Sequence, residues 1–166
     1  PLAFAFGGEA SPRDYARALA DAGLLALMAC LAGYGAWTDI TRRHLSNWLS
    51  LATLMAGLVY AAIVTTPELF VSHLGHFAIA LAIGLALFAT GVWGGGDGKF
   101  YASVAAWFPV GAFFNLVLSI SMVGLVMLTI MIVKSRGKLL RKDSKGVPYG
   151  VAIGIGAFLA LGQRLW

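Results

Sequence analysis

Two aspartates carry the chemistry that this sequence can support. Asp97 lies in Trp93-Gly94-Gly95-Gly96-Asp97-Gly98-Lys99-Phe100, a glycine-rich stretch between two apolar runs. Asp39 ends another apolar run, ahead of the polar segment Ile40-Thr41-Arg42-Arg43-His44-Leu45-Ser46-Asn47. A carboxylate at the edge of a membrane span is costly and usually marks function. Two carboxylates brought close cannot both stay ionised, so such a pair shares a proton. The ionised member can then take a proton from water while the protonated member polarises a carbonyl. No metal, cofactor or covalent nucleophile is required. Gly94, Gly95, Gly96 and Gly98 lack a Cβ and would let a substrate backbone approach the acid. The same residues also read as a flexible loop, with both acids paired to Arg42, Arg43 or Lys99 at the membrane edge.

The elements that must position these acids follow from composition. Of 166 residues, 60% are hydrophobic and 11% charged, and the mean hydropathy is +0.84. A soluble domain carries roughly 25% charged residues, so this is an integral membrane protein. Long continuous apolar runs without alternation exclude a β-barrel and require helices. The net charge of +5 reads as a topology signal, with no nucleic-acid partner. The single cysteine, Cys30, excludes a disulfide framework and a four-cysteine zinc site.

Residues 1–18 form an N-terminal surface segment without the order of a signal peptide. Ser11-Pro12 followed by Asp14 resembles the start of a short helix. Residues 19–166 form one membrane domain. Spans are expected near 19–37, 48–65 and 74–93, with Pro67-Glu68 closing the second. Residues 100–133 would be roughly 51 Å long as one helix at 1.5 Å per residue, too long for one span of about 30 Å. Pro109 and Gly111 offer a break, giving a short fourth span near 100–112 and a fifth near 114–133. A sixth runs near 147–161. This division places Arg42, Arg43, Lys99 and the cluster Lys134, Arg136, Lys138, Arg141, Lys142 and Lys145 on one side. Arg13, Arg17 and Arg164 remain on the other. The positive-inside rule prefers it. The sequence therefore predicts an all-α integral membrane protein, a compact bundle of six transmembrane helices with a short fourth. Both termini lie outside, and both acids face the cytoplasm.

At this point the motifs meet a family. Gly94-Gly95-Gly96-Asp97-Gly98-Lys99 resembles the GxGD-type motif of the type IV prepilin peptidases, polytopic aspartyl proteases of the bacterial cytoplasmic membrane. Asp39 followed by Leu45-Ser46-Asn47 resembles their first motif, with leucine and serine in place of isoleucine and proline. Val147-Pro148-Tyr149-Gly150-Val151-Ala152-Ile153 looks like the short form serving Tad (Flp) pili. The resemblance covers about residues 19–165. It implies cleavage of a short basic leader from a prepilin, just before its hydrophobic helix, for pilus assembly or secretion. Asp39 and Asp97 carry over as catalytic. Asn47, Lys99 and the four glycines carry over as motif residues near the substrate's approach. Larger members have a cytoplasmic zinc-binding insert and also methylate the product; this chain has no such insert.

Other candidates are weaker. A phosphate loop needs Gly at position 93 and Ser or Thr at position 100, where this chain has Trp93 and Phe100. His73 and His76 have i, i+3 spacing but too few companion ligands for zinc. The basic cluster from Lys134 to Lys145 suits anionic lipid headgroups. The Gly154-Ile155-Gly156 run reads as close helix packing. A small transporter would keep its polar groups near mid-membrane, whereas a noncatalytic membrane subunit of a secretion assembly remains a rival of a different class.

Overall fold

The computed structural model describes residues 12–135 and 148–164. The expected Ser11 cap and the basic residues from Arg136 to Lys145 fall outside them. The described chain is helical throughout, with no strand: α1 (Pro12–Arg42), α2 (Asn47–Val64), α3 (Pro67–Ala89), α4 (Gly95–Ala105), α5 (Phe113–Ser135) and α6 (Tyr149–Arg164). Four helical segments are long and apolar enough to cross a membrane: Ala18–Arg42 of α1, all of α2 and α3, and Val110–Lys134, which spans a 3-10 turn and most of α5. α6 is shorter, and α4 reaches only about 16 Å at 1.5 Å per residue.

α4 is the axis of the bundle. Residues 100–108 are all buried, with Phe100 and Trp107 fully enclosed. α4 packs against α3, α2 and α6; α6 packs in turn against α1 and α5. Because lipid is as apolar as leucine, burial alone does not hold such helices together; close approach and hydrogen bonds do. Both are present. A Cβ on Gly57 would lie 2.7 Å from the Trp107 ring, so α2 accepts the indole only through a glycine. Trp107 Nε1–H donates to the Thr53 carbonyl at 2.9 Å, and its ring stacks on Tyr60 at 5.5 Å. On α2, Leu51, Met55, Val59 and Ile63 face outward at helical spacing, which suits contact with lipid.

α3 and α4 run antiparallel while α2 and α4 run parallel, Asn47 meeting Lys99 and Thr53 meeting Trp107, so motifs distant in sequence collect at one end. Gly84 of α3 meets Gly98 of α4, where a Cβ on Gly84 would lie 2.8 Å from the Gly98 Cα. Further along, His73 of α3 meets the Ala106 carbonyl. Gly154 of α6 lies against Ala32 of α1, and Gly156 against Ile120 of α5. The Gly154-Ile155-Gly156 run thus packs closely, as its composition suggested.

Several boundaries differ from expectation, each for a local reason. The N-terminal segment and first span form one helix from Pro12, and that helix continues to Arg42 where a polar loop was expected. Thr38 and Thr41 hydroxyls return to the carbonyls of Gly35 and Trp37, so these polar residues stay helical. Pro67 does not close a span; it occupies the first turn of α3, where a missing N–H is harmless, behind the Thr66 cap. The long stretch 100–133 does break: α4 ends at Ala105, and the 3-10 turn Val110–Ala112 leads into α5. There the Val110 N–H is taken up by Ser72 Oγ at 2.9 Å.

Candidate active site

Asp39 occupies the last turn of α1 and is only 6% exposed. Its position there is held by the other end of the chain. The Gly150 N–H, in the first turn of α6, donates to Asp39 Oδ2 at 2.7 Å, and the Val151 N–H also reaches the carboxylate. The first N–H groups of a helix have no partner within it and favour a negative charge. The arrangement requires a glycine: a Cβ at position 150 would lie 2.9 Å from Oδ2 and 3.0 Å from Leu45 Cδ1.

Asp97 lies in the first turn of α4, outside the four long spans. The expected glycine loop is therefore mostly helix. Gly94 caps it, and Asp97 Oδ2 accepts the Gly94 N–H at 3.0 Å. The glycines differ in what they permit. Gly98 allows the contact with α3 at Gly84, and a Cβ on Gly96 would press the Leu45 carbonyl at 3.2 Å. Gly95 faces only the Phe88 ring at an ordinary 3.5 Å. The true reversal lies earlier, at Gly91, whose φ of +74° ends α3.

Both acids line one open cavity of about 690 Å³. Arg42, Arg43, Trp93 and Tyr149 share its wall. Trp93 packs edge-on against Tyr101 at 5.5 Å and tilts against Tyr149 at 5.7 Å. Burial pushes the Asp97 carboxyl up to about 6; the Gly94 N–H opposes the rise and the charge of Asp39 adds to it. The two acids thus feel one another. Asp39, with two backbone donors and the Arg43 guanidinium nearby, is the member better furnished to carry negative charge.

Asn47 and Lys99 meet on the other side of α4, where Lys99 Nζ donates to Asn47 Oδ1 at 3.1 Å. They do not line the acid cavity. His73 and His76 are fully buried and turn their Nδ1 atoms to the carbonyls of Ala106 (2.8 Å) and Phe108 (3.0 Å). They tie down the end of α4, and among the described residues no group of three potential ligands gathers to hold a metal. The residues that sequence reasoning missed as site builders are Gly84 and Gly150. Each is one small residue in an apolar helix, and the sequence does not tell which neighbour it admits.

With this geometry established, comparison with known proteins gives the class. The sequence model of the type IV leader peptidase family matches residues 25–130, and the chain belongs to that family. It is a membrane-embedded peptidase in general type. No curated protein and no solved structure matches the chain.

Proposed function

We propose that this protein is an aspartyl endopeptidase that removes the short basic leader from prepilins at the cytoplasmic face of the bacterial inner membrane. The observation that carries this reading is that Asp39 and Asp97 share one cavity. Asp39 acts as base and Asp97 as acid. Asp39 takes a proton from water as its oxygen attacks the scissile carbonyl carbon, and Asp97 protonates the carbonyl oxygen. In the second half Asp39 returns its proton to the amide nitrogen, the C–N bond breaks, and Asp97 recovers a proton from the geminal hydroxyl. The atoms balance without a metal or an acyl-enzyme.

The sequence motifs suit the short form that serves Tad (Flp) pili, for pilus assembly or secretion. The distribution of basic residues supports a cytoplasmic site with both termini outside. The test is direct: incubate the purified protein with a candidate prepilin and weigh the products. One cut ahead of the hydrophobic helix is expected. An intact precursor under conditions where the protein is folded and binds it would point instead to a noncatalytic subunit.

A further inference from the structure

A second groove lies on the opposite side of α4, between α2 and α3, with a volume of about 330 Å³. Its wall changes character with depth. On α2 it is formed by Asn47, Ser50, Leu51 and Leu54, one helix face running from polar to apolar. α4 contributes Lys99 at the same end as Asn47, and Ser103 one turn deeper; Phe77 and Leu81 of α3 complete the apolar part. Lys99 is exposed at the mouth, and among the described residues its ammonium bonds only the neutral Asn47 side chain. Within the groove, Ser50 is 6% exposed, and among the described residues its Oγ has no hydrogen-bond partner. A buried hydroxyl without a partner is costly, so it requires an explanation.

We infer that this groove binds one anionic glycerophospholipid, its phosphate on Lys99, an ester carbonyl accepting from the Ser50 hydroxyl, and an acyl chain along Leu54 and Phe77. The order of the wall argues for this occupant. It offers a cation at the membrane edge, a hydrogen-bond donor one turn deeper and hydrocarbon below, as a phospholipid is built. Charge complementarity selects an acidic headgroup over a zwitterionic one, since among the described residues no acidic side chain lines the groove. The groove also opens among outward-facing Leu51 and Met55, surfaces that suit acyl chains. The site is distinct from the acid cavity and does not depend on the peptidase reading.

The test uses the full-length protein in dodecyl maltoside with phosphatidylglycerol carrying a mid-chain diazirine, and phosphatidylcholine with the same chains. After illumination, labelled peptides are located by mass spectrometry. Labelling should concentrate on peptides holding Leu54 and Phe77, with phosphatidylglycerol exceeding phosphatidylcholine by about fivefold, the effect of one lysine on an anionic lipid. Lys99→Gln should bring the two lipids level. Leu54→Trp, which fills the groove, should remove labelling by both, and it keeps the test decisive if Lys99→Gln does not fold. Equal labelling by the two lipids in the wild type would overturn the inference. So would a headgroup preference that survives Lys99→Gln, or labels spread evenly over the outer faces of α1 and α5.

Discussion

The Gly150 N–H and the Asp39 carboxylate, 111 residues apart in sequence, meet at 2.7 Å in the interior. The contact joins the last helix to the first at the atom proposed to act as base. A methyl group at position 150 would collide with the carboxylate itself. Gly150→Ala should therefore displace Asp39 or tilt α6. A misplacement of about 1 Å costs roughly a hundredfold in rate. The loss should fall on turnover, measured by prepilin cleavage, while helix content by circular dichroism stays that of the wild type.

The acid pair makes a sharper demand. Asp39→Asn and Asp97→Asn should each abolish cleavage, and the double variant should lose little more, because groups acting as one unit are non-additive. Near-wild-type turnover in either single variant would remove the two-aspartate mechanism.

Dependence on pH follows from Asp97. Its carboxyl is pushed up to about 6 by burial, with the Gly94 N–H opposing and Asp39 adding. The active pair holds one proton, so kcat/KM should fall as pH rises through that value, by about tenfold per pH unit beyond it. The sign for stability is set by the same shift. The folded chain binds this proton more tightly than the unfolded chain, so stability is lost between about 4 and about 6 as pH rises. Asp97→Asn should then melt higher than wild type above pH 6 while cutting nothing. A flat rate from pH 5 to 9 would contradict the assignment of Asp97 as acid.

The glycines of the motif should not be equivalent. Gly98→Ala sets a Cβ 3.0 Å from the Gly84 carbonyl oxygen, backbone against backbone, whereas Gly95→Ala meets only the edge of Phe88. Overpacking of the first kind costs about 1–3 kcal/mol. Thermal unfolding in detergent should separate the two variants by several degrees, with Gly95→Ala at or above the wild-type melting point.

His76→Ala should lower stability by about 1–3 kcal/mol, since it leaves the buried Phe108 carbonyl without its donor. The loss should be the same with and without chelator, and chelator should leave cleavage by the wild type unchanged. Loss of cleavage on chelation, restored by zinc, would contradict both expectations.

The helical class, the break in 100–133 and the placing of Asp39 and Asp97 on one cavity were legible because each is written in residue type: apolar length, Pro109 with Gly111, and carboxylates at apolar edges. The helix ends were less legible. Asp39 and Asp97 look like loop residues in the sequence because both are charged and polar neighbours flank them. They are helical because their carboxylates are occupied by N–H groups at the heads of α6 and α4. The Asp97 bond to Gly94 is local, but the Asp39 bond to Gly150 crosses 111 residues and leaves no local trace. The same holds for Gly84, whose value lies in Gly98 across the interface. It holds also for Lys99 and Asn47, which resemblance grouped with the acids but which face another groove.

The seating of Asp39 against α6 also orders events during biosynthesis. A ribosome delivers α1 well before α6, so Asp39 enters the membrane long before its backbone donors exist. Until residues 149–151 are inserted and packed, the acid lacks the groups that hold it, and the cavity lacks the Tyr149 wall. A nascent chain with five helices in place therefore has both aspartates but no assembled site. The proposed site is assembled only once α6 has packed against α1.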